Sequence, residues 1–490
     1  MNSIAAVEND RAAAAVAQWT ASERESFFDA IARHRRAGWR VTLASHAANF
    51  IVALIVAAMM SPLFYAVICL LFDIVNIFHR VPNVVAAIGA VLGPLTDKPE
   101  SVPLARWIYV AVVATAPGLV WMAILLTALR RMLRVSAMFD SGDLQARPAD
   151  ATVLAEQRIS NVIGEMAVAA NLPPPRLLIT DIGCNAAVFG RDEQHATIVV
   201  SQALLARLDR AEMQGIAAHL IGSIANGDMS IGLQAAATLS LFGLTSRLAT
   251  VLTDRGAWRP LARIFIALMW PTKGSARRLA EELADPFGAK DTTQRAPRAQ
   301  EIDTSTLKGK IEQFRSMLWL PLAGSVVITG FFTAVVCLFM LGPLLSLAWR
   351  QRKYMADATA VRLTRDPNTL SEALEKMGGA DSAIAPWAAH LSVVSAPGAR
   401  GLMSNSAVPM FPSLDRRLRA LGTMGAHLTQ APKKMPLKLV LIVTPLFAIV
   451  GVLAGCVLCL LAWVSIPLTA LFMGIPFAIV HLLLRWIGGH

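Results

Sequence analysis

The sequence predicts an α-helical polytopic membrane protein with a soluble α+β domain split by membrane helices. Three observations predict it. Of 490 residues, 55% are hydrophobic and 16% charged, where soluble domains run at roughly 25% charged; mean hydropathy is +0.53. Apolar stretches at 42–78, 107–129, 230–252, 319–349 and 439–484 approach or exceed the roughly 20 residues that cross a bilayer. Between the second and third lie two β-branched runs, Arg176–Asp181 and Ala196–Val200, which read as strands. This apolar content also excludes the disordered class.

Residues 1–41 are expected to be a polar, helical, cytoplasmic segment ending in Arg33, Arg35, Arg36 and Arg40, too long and too charged for a secretory leader. Residues 42–129 read as a membrane hairpin interrupted at Pro62 and Pro117. Arg130, Arg131 and Arg134 follow it and few cations lie inside it, so both ends are expected on the cytoplasmic side. The short apolar run 82–95 is re-entrant or interfacial. Asp73 sits deep in the first stretch; it is either functional, as intramembrane carboxylates generally are, or interfacial beside His79 and Arg80.

Residues 130–229 form the first soluble half, with Asp209 a plausible N-cap for a helix over Ala211–Ala225. Residues 230–349 hold membrane segments around a long loop, 253–318, with twelve Lys/Arg. It is a solvated linker or a contact for anionic headgroups. Residues 350–435 form the second soluble half. Residues 436–490 read as a C-terminal hairpin broken at Ser465-Ile466-Pro467, giving about six spans in all. The net charge of +12 is expected to flank membrane spans, with no nucleic-acid partner. The five cysteines have no zinc-type spacing and no disulfide framework.

The informative segment is Ala218-His219-Leu220-Ile221-Gly222-Ser223-Ile224-Ala225-Asn226-Gly227-Asp228. Upstream stand Leu172-Pro173-Pro174-Pro175 and Asn185-Ala186-Ala187-Val188-Phe189-Gly190-Arg191; downstream stand Arg350–Pro367, with Lys353-Tyr354-Met355-Ala356-Asp357, and Phe411–Leu418. In this order the segments resemble the membrane-embedded zinc metallopeptidases of the HtpX and CAAX prenyl endopeptidase type, over about 130–420. The resemblance implies a gluzincin-like peptidase domain. It also implies a structural motif at Asn226, Asp228 and Asp357.

In that family two histidines four apart on one helix bind zinc. A glutamate beside the first is the general base, and a distant glutamate is the third ligand. Carried over to this sequence, His219 is kept, while Leu220 stands at the base position, Ser223 at the second ligand and Lys353 at the third. The catalytic set is therefore degenerate. No metal is expected with only His219 retained, and zinc returns only if an unusual ligand set operates, such as His219 with Asp228 or Asp357. The plainer reading of His219 is a packed, hydrogen-bonded core histidine. The Lys353 ammonium is expected to replace the metal electrostatically and pair with Asp357 or Asp228.

The expected function is a catalytically inactive homologue in the bacterial inner membrane, its peptidase-like domain cytoplasmic, binding membrane-protein clients or a partner in quality control or regulation. The alternatives are an active zinc endopeptidase with a non-standard ligand set, and a structural subunit of a membrane complex. In the family a peptide adds to an edge strand, which maps here to Ala196, Ile198 and Val200 with Asn185 and Phe189 beside them; these residues are otherwise only the sheet of a small α/β fold.

Overall fold

The computed structural model describes residues 24–78, 84–97, 102–138, 145–181, 183–252, 258–284, 324–325, 327–333, 335–378, 392–394, 410–427 and 437–487. Residues 1–23, His79, Arg80 and the loop positions Lys290, Arg295, Arg298, Lys308 and Lys310 lie outside the described residues.

The N-terminal membrane unit is α1 (Phe27–Phe78), α2 (Val84–Asp97) and α3 (Leu104–Ser136). The run 82–95 thus becomes the short helix α2. Pro62 and Pro117 break neither α1 nor α3, and at Pro117 the lost backbone bond is replaced. Pro117 has no N–H for the Val113 carbonyl, and the Tyr65 hydroxyl donates to that carbonyl at 2.5 Å. The next amide, Gly118 N–H, donates to Ser61 Oγ at 3.1 Å. The helices touch here: a Cβ on Gly118 would lie 2.3 Å from the Ala57 carbonyl oxygen.

The soluble domain opens with β1 (Arg147–Pro148), α4 (Leu154–Ala169), β2 (Arg176–Thr180), β3 (Ala186–Phe189) and β4 (Thr197–Ser201). The sheet order is β1-β2-β4-β3, with β2 and β4 parallel and the outer pairs antiparallel. Then come α5 (Gln202–Arg207), α6 (Arg210–Ala225), α7 (Asp228–Leu252), α8 (Trp258–Met269) and α9 (Lys273–Ala284). The second half supplies α10 (Gly342–Thr364), α11 (Pro367–Met377) and α12 (Leu414–Thr423). One core joins the inner sheet face to α4, α6 and α11. A second lies where α1, α3, α7 and α9 meet.

Several expectations change. The C-terminal stretch is one continuous helix, α13 (Leu437–Ile487), that runs through Ser465-Ile466-Pro467; proline is tolerated in apolar helices whose neighbours re-satisfy the backbone. Among the described residues three helices are long and apolar enough to cross a membrane: Phe27–Asn76, Leu104–Ser136 and Gly455–Trp486. The first part of the loop 253–318 is the helix pair α8 and α9, with Ile264, Ala267, Leu268, Ala276, Leu279, Ala280 and Leu283 in the core. Asp73 is partnered across the membrane unit by His481 of α13.

Candidate functional site

The site is built on α6. Asp209 accepts from the Glu212 amide at 2.9 Å and the Glu212 side chain accepts from the Asp209 amide at 2.9 Å, a complete capping box. From this start His219 and Ser223 fall one turn apart, both buried. Gly222 lets α10 approach: a Cβ there would sit 3.1 Å from the Thr359 Cβ and 3.2 Å from the Ala356 carbonyl oxygen. Gly215, two turns earlier, admits the start of α11, whose Leu370 nitrogen would be 2.6 Å from such a Cβ. Asn226, the α6 C-cap, donates to Thr359 Oγ1 at 3.3 Å. The expected helix and its N-cap are present, and the structure adds its crossing by the helix that carries Lys353 and Asp357.

Asp357 is the hub. His219 Nδ1 lies 2.8 Å from its Oδ1. Arg417 of α12 grips it with both arms of the guanidinium, Nη2 to Oδ1 at 2.7 Å and Nε to Oδ2 at 2.9 Å. Arg417 also donates through Nη1 to the Val393 carbonyl at 2.7 Å. Burial by itself would raise the Asp357 carboxyl, but Arg417 and His219 override it and hold it well below the usual carboxylate range. Burial pushes the His219 imidazole down to about 4, against the pull of Asp357, so it is neutral at pH 7.

Lys353, one turn before Asp357, is buried. Its ammonium donates to the Ser392 carbonyl at 2.7 Å and stands 5.3 Å from the Phe411 ring centre and 5.7 Å from that of Trp349, within cation–π range. Burial lowers it to about 8, with Asp228 and Asp357 opposing. The expected pairing with an acid is therefore corrected. Asp357 is taken by Arg417 and His219, and Asp228 by Arg352, whose Nε reaches Oδ1 at 2.7 Å. Arg352 also donates to the Asn226 carbonyl. Burial raises the Asp228 carboxyl and Arg352 opposes it.

The strand reading is corrected by one position. Ile198 and Val200 are on β4, which is paired on both sides, with β2 and β3, so it has no backbone groups left for an added strand. Ala196, Ile198, Val200, Asn185 and Phe189 are all buried. The outer strand is β3, and the chain's own segment 392–394 already lies on it: Ala187 and Ser392 form an antiparallel bridge, and the Val393 amide donates to the Ala186 carbonyl at 2.9 Å. Asn185 clamps the same segment, Nδ2 donating to the Val394 carbonyl at 2.8 Å.

Sequence reasoning missed Arg417, Arg352 and Ser392–Val394. Arg417 had a signal, since it sits on the apolar face of α12 beside Leu414, Leu418 and Leu421. Ser392 and Val393 act through backbone carbonyls, which no side-chain motif announces.

Zinc is the group the family resemblance implies, and the donors can be tested against it. Among the described residues His219 Nε2 is a buried polar atom without a hydrogen-bond partner, and the Ser223 hydroxyl is buried one turn on. Tetrahedral zinc needs three ligands from Cys, His, Asp and Glu. Here the helix offers one imidazole and a hydroxyl, Asp357 and Asp228 are held by arginines, and the third position carries an ammonium. Among the described residues no three His, Cys, Asp or Glu side chains are grouped to hold a metal. These residues do not fit the ion.

The profile of peptidase family M48 matches residues 154–306. Proteins named Protease HtpX homolog are similar. The one from Thermoanaerobacter pseudethanolicus is 26% identical over 243 residues, 49% of this chain and 62% of its own length. That from Dictyoglomus thermophilum is 29% identical over 273 residues, 54% and 68%. That from Tropheryma whipplei strain Twist is 26% identical over 272 residues, 55% and 72%. The match thus spans under two thirds of the first of these relatives. No solved structure matches significantly. The sheet, the α6–α10 crossing and these similarities agree: residues 154–306 match peptidase family M48, and the chain is similar to proteins named Protease HtpX homolog.

Proposed function

We propose that the protein is a catalytically inactive HtpX-like membrane peptidase homologue that binds membrane-protein clients or a partner, in quality control or regulation. In this reading it lies in a bacterial inner membrane with the peptidase-like domain on the cytoplasmic side. The supporting observation is the Lys353 ammonium, buried where the family resemblance calls for a metal-binding carboxylate and bonded to the Ser392 carbonyl. With leucine at the base position and serine at the second ligand, neither a water nor a metal finds the groups that hydrolysis uses.

Client binding in this reading uses the β3 edge and displaces Ser392–Val394. Zinc analysis of the purified full chain is the first test, with substoichiometric metal expected. Stoichiometric zinc that disappears in His219→Ala would establish the active endopeptidase with a non-standard ligand set. The second test locks the edge. Ala187→Cys with Ser392→Cys places two cysteines at bridged positions, where antiparallel pairing brings Cα atoms to about 4.5–5.5 Å, inside disulfide range. Oxidation is expected to abolish co-purification of clients and reduction to restore it. Unchanged co-purification in the oxidised form would remove β3 as the binding edge.

A further inference from the structure

The end of α3 carries a feature that neither peptidase chemistry nor strand addition uses. Arg130 and Arg134 stand one turn apart on α3 and line a polar cleft of about 60 Å³ with Arg191, Ser230, Leu233 and Gln234. Arg191 comes from the turn between β3 and β4, and the last three residues from the first two turns of α7. Among the described residues Arg130 and Arg134 form no ion pair or hydrogen bond. Arg191 has a single carboxylate, Asp192, its Nε 3.1 Å from Oδ2, and its Nε and Nη2 also lie 3.3 and 3.0 Å from the two ring nitrogens of His195, which leaves Nη1 for a ligand. Three guanidinium groups therefore line one small cleft with one acid beside them, an excess of positive charge that an anion would offset.

The height of the cleft along α3 identifies the anion. The large exposed apolar side chains of α3 run from Leu104 to Ile124, about 30 Å at the helical rise of 1.5 Å per residue, the thickness of a hydrocarbon core. Arg130 lies six residues beyond Ile124, about 9 Å further, which is headgroup depth. Arginine forks match phosphate oxygens in pairs, and the Ser230 hydroxyl and Gln234 amide add neutral donors. A cleft this small takes a phosphate and no acyl chain.

We propose that Arg130, Arg134 and Arg191 bind the phosphate of an anionic phospholipid headgroup. The lipid then ties the β3–β4 turn to the end of α3, so that the sheet is held against the membrane by a ligand as well as by packing. The same oxygens occur on free phosphate, and the experiment separates the two sources.

The test is native mass spectrometry of the full chain released from nanodiscs of phosphatidylglycerol and phosphatidylcholine in equal parts. Wild type is expected to retain phosphatidylglycerol preferentially. Arg130→Gln, Arg134→Gln and Arg191→Gln are each expected to lower that preference about fivefold, the effect of one cation at an anionic surface, and the triple variant to abolish it. The three positions are surface-exposed, so folding should survive; an unchanged thermal midpoint in phosphatidylcholine discs checks this. Substitution of all three by lysine should keep most of the preference. A control set, Arg35→Gln with Arg36→Gln and Arg40→Gln, removes equal charge from α1. If the control lowers the preference as much as the triple variant, the effect is surface charge and the site is refuted. If a large excess of inorganic phosphate displaces the retained lipid, soluble phosphate is the ligand and the lipid assignment fails.

Discussion

Replacing Lys353 by methionine removes one buried charge while nearly preserving side-chain volume. The lysine titrates at about 8 in the folded protein, against 10.5 for the free side chain. Its folded value is depressed, so between pH 8 and 10.5 the unfolded chain binds more protons. Stability then rises with pH through this window. The span of 2.5 pH units between those two values corresponds to roughly 3 kcal/mol. The difference between wild type and Lys353→Met isolates that gain from every other titration. At about 2–4 °C per kcal/mol for a domain of this size, wild type should gain roughly 6–12 °C on the variant between pH 8 and pH 10.5. The assay is thermal unfolding of detergent-solubilised full chain, followed by tryptophan fluorescence. A difference that stays flat across the window would mean that Lys353 is solvated, and the assignment of its ammonium to the metal position would fall with it.

The imidazole gives the mirror experiment in acid. His219 is neutral and folds with a value of about 4 against 6.5, so wild type should lose roughly 3 kcal/mol relative to His219→Asn as pH falls from 6.5 to 4, read by the same unfolding assay; parallel curves would refute it. Asp357→Ala strands the Arg417 guanidinium in the core and should cost about 3–5 kcal/mol; a loss below about 1 kcal/mol, typical of an exposed pair, would show that Arg417 reaches water. Gly215→Ala should destabilise by about 1–3 kcal/mol, because its Cβ meets the Leu370 and Thr369 backbone at 2.6 Å. Gly164→Ala, with nothing within 4 Å, should stabilise by about 0.5–1 kcal/mol; chemical denaturation that ranks the two the other way contradicts the packing. Tyr65→Phe should cost about 1 kcal/mol in wild type and almost nothing in Pro117→Ala, where the Val113 carbonyl regains its helical donor; equal costs in a double-mutant cycle would disprove the replacement.

Features that depend on local sequence were legible in it. The Asp209 cap, the α6 helix and the β2 and β4 strands follow from side-chain type and spacing within a few residues. The positions of His219, Ser223 and Lys353 followed from segment order. What was hidden depends on chain geometry over long separations. Whether Ile198 lies on an edge is decided by where β3 pairs, and β3 is four residues without a period-two pattern, all buried. The partner of Asp73 is His481, more than four hundred residues away. Arg417 reaches Asp357 across sixty residues, and its weight lay in a buried face of a short helix whose other side is cationic. The continuous α13 was hidden because Ser465-Ile466-Pro467 breaks helices in water, while apolar surroundings tolerate it.

The charges around α6 bear on the proposed inactive reading. Lys353, Arg352 and Arg417 bring three positive charges against the two carboxylates of Asp228 and Asp357, with His219 neutral. The surplus charge is held by the Ser392 carbonyl and two aromatic faces. A divalent ion added to this set would raise the surplus further at a site with little water, where such repulsion is strong. Changing Lys353 to glutamate alone leaves the Ser392 carbonyl without its donor and adds a third carboxylate, while Ser223 and Leu220 still withhold the second ligand and the base. Lys353 holds, through the Ser392 carbonyl, the segment that lies on the β3 edge, so in the proposed reading the residue carried over to the third-ligand position and the segment covering the proposed client edge secure one another.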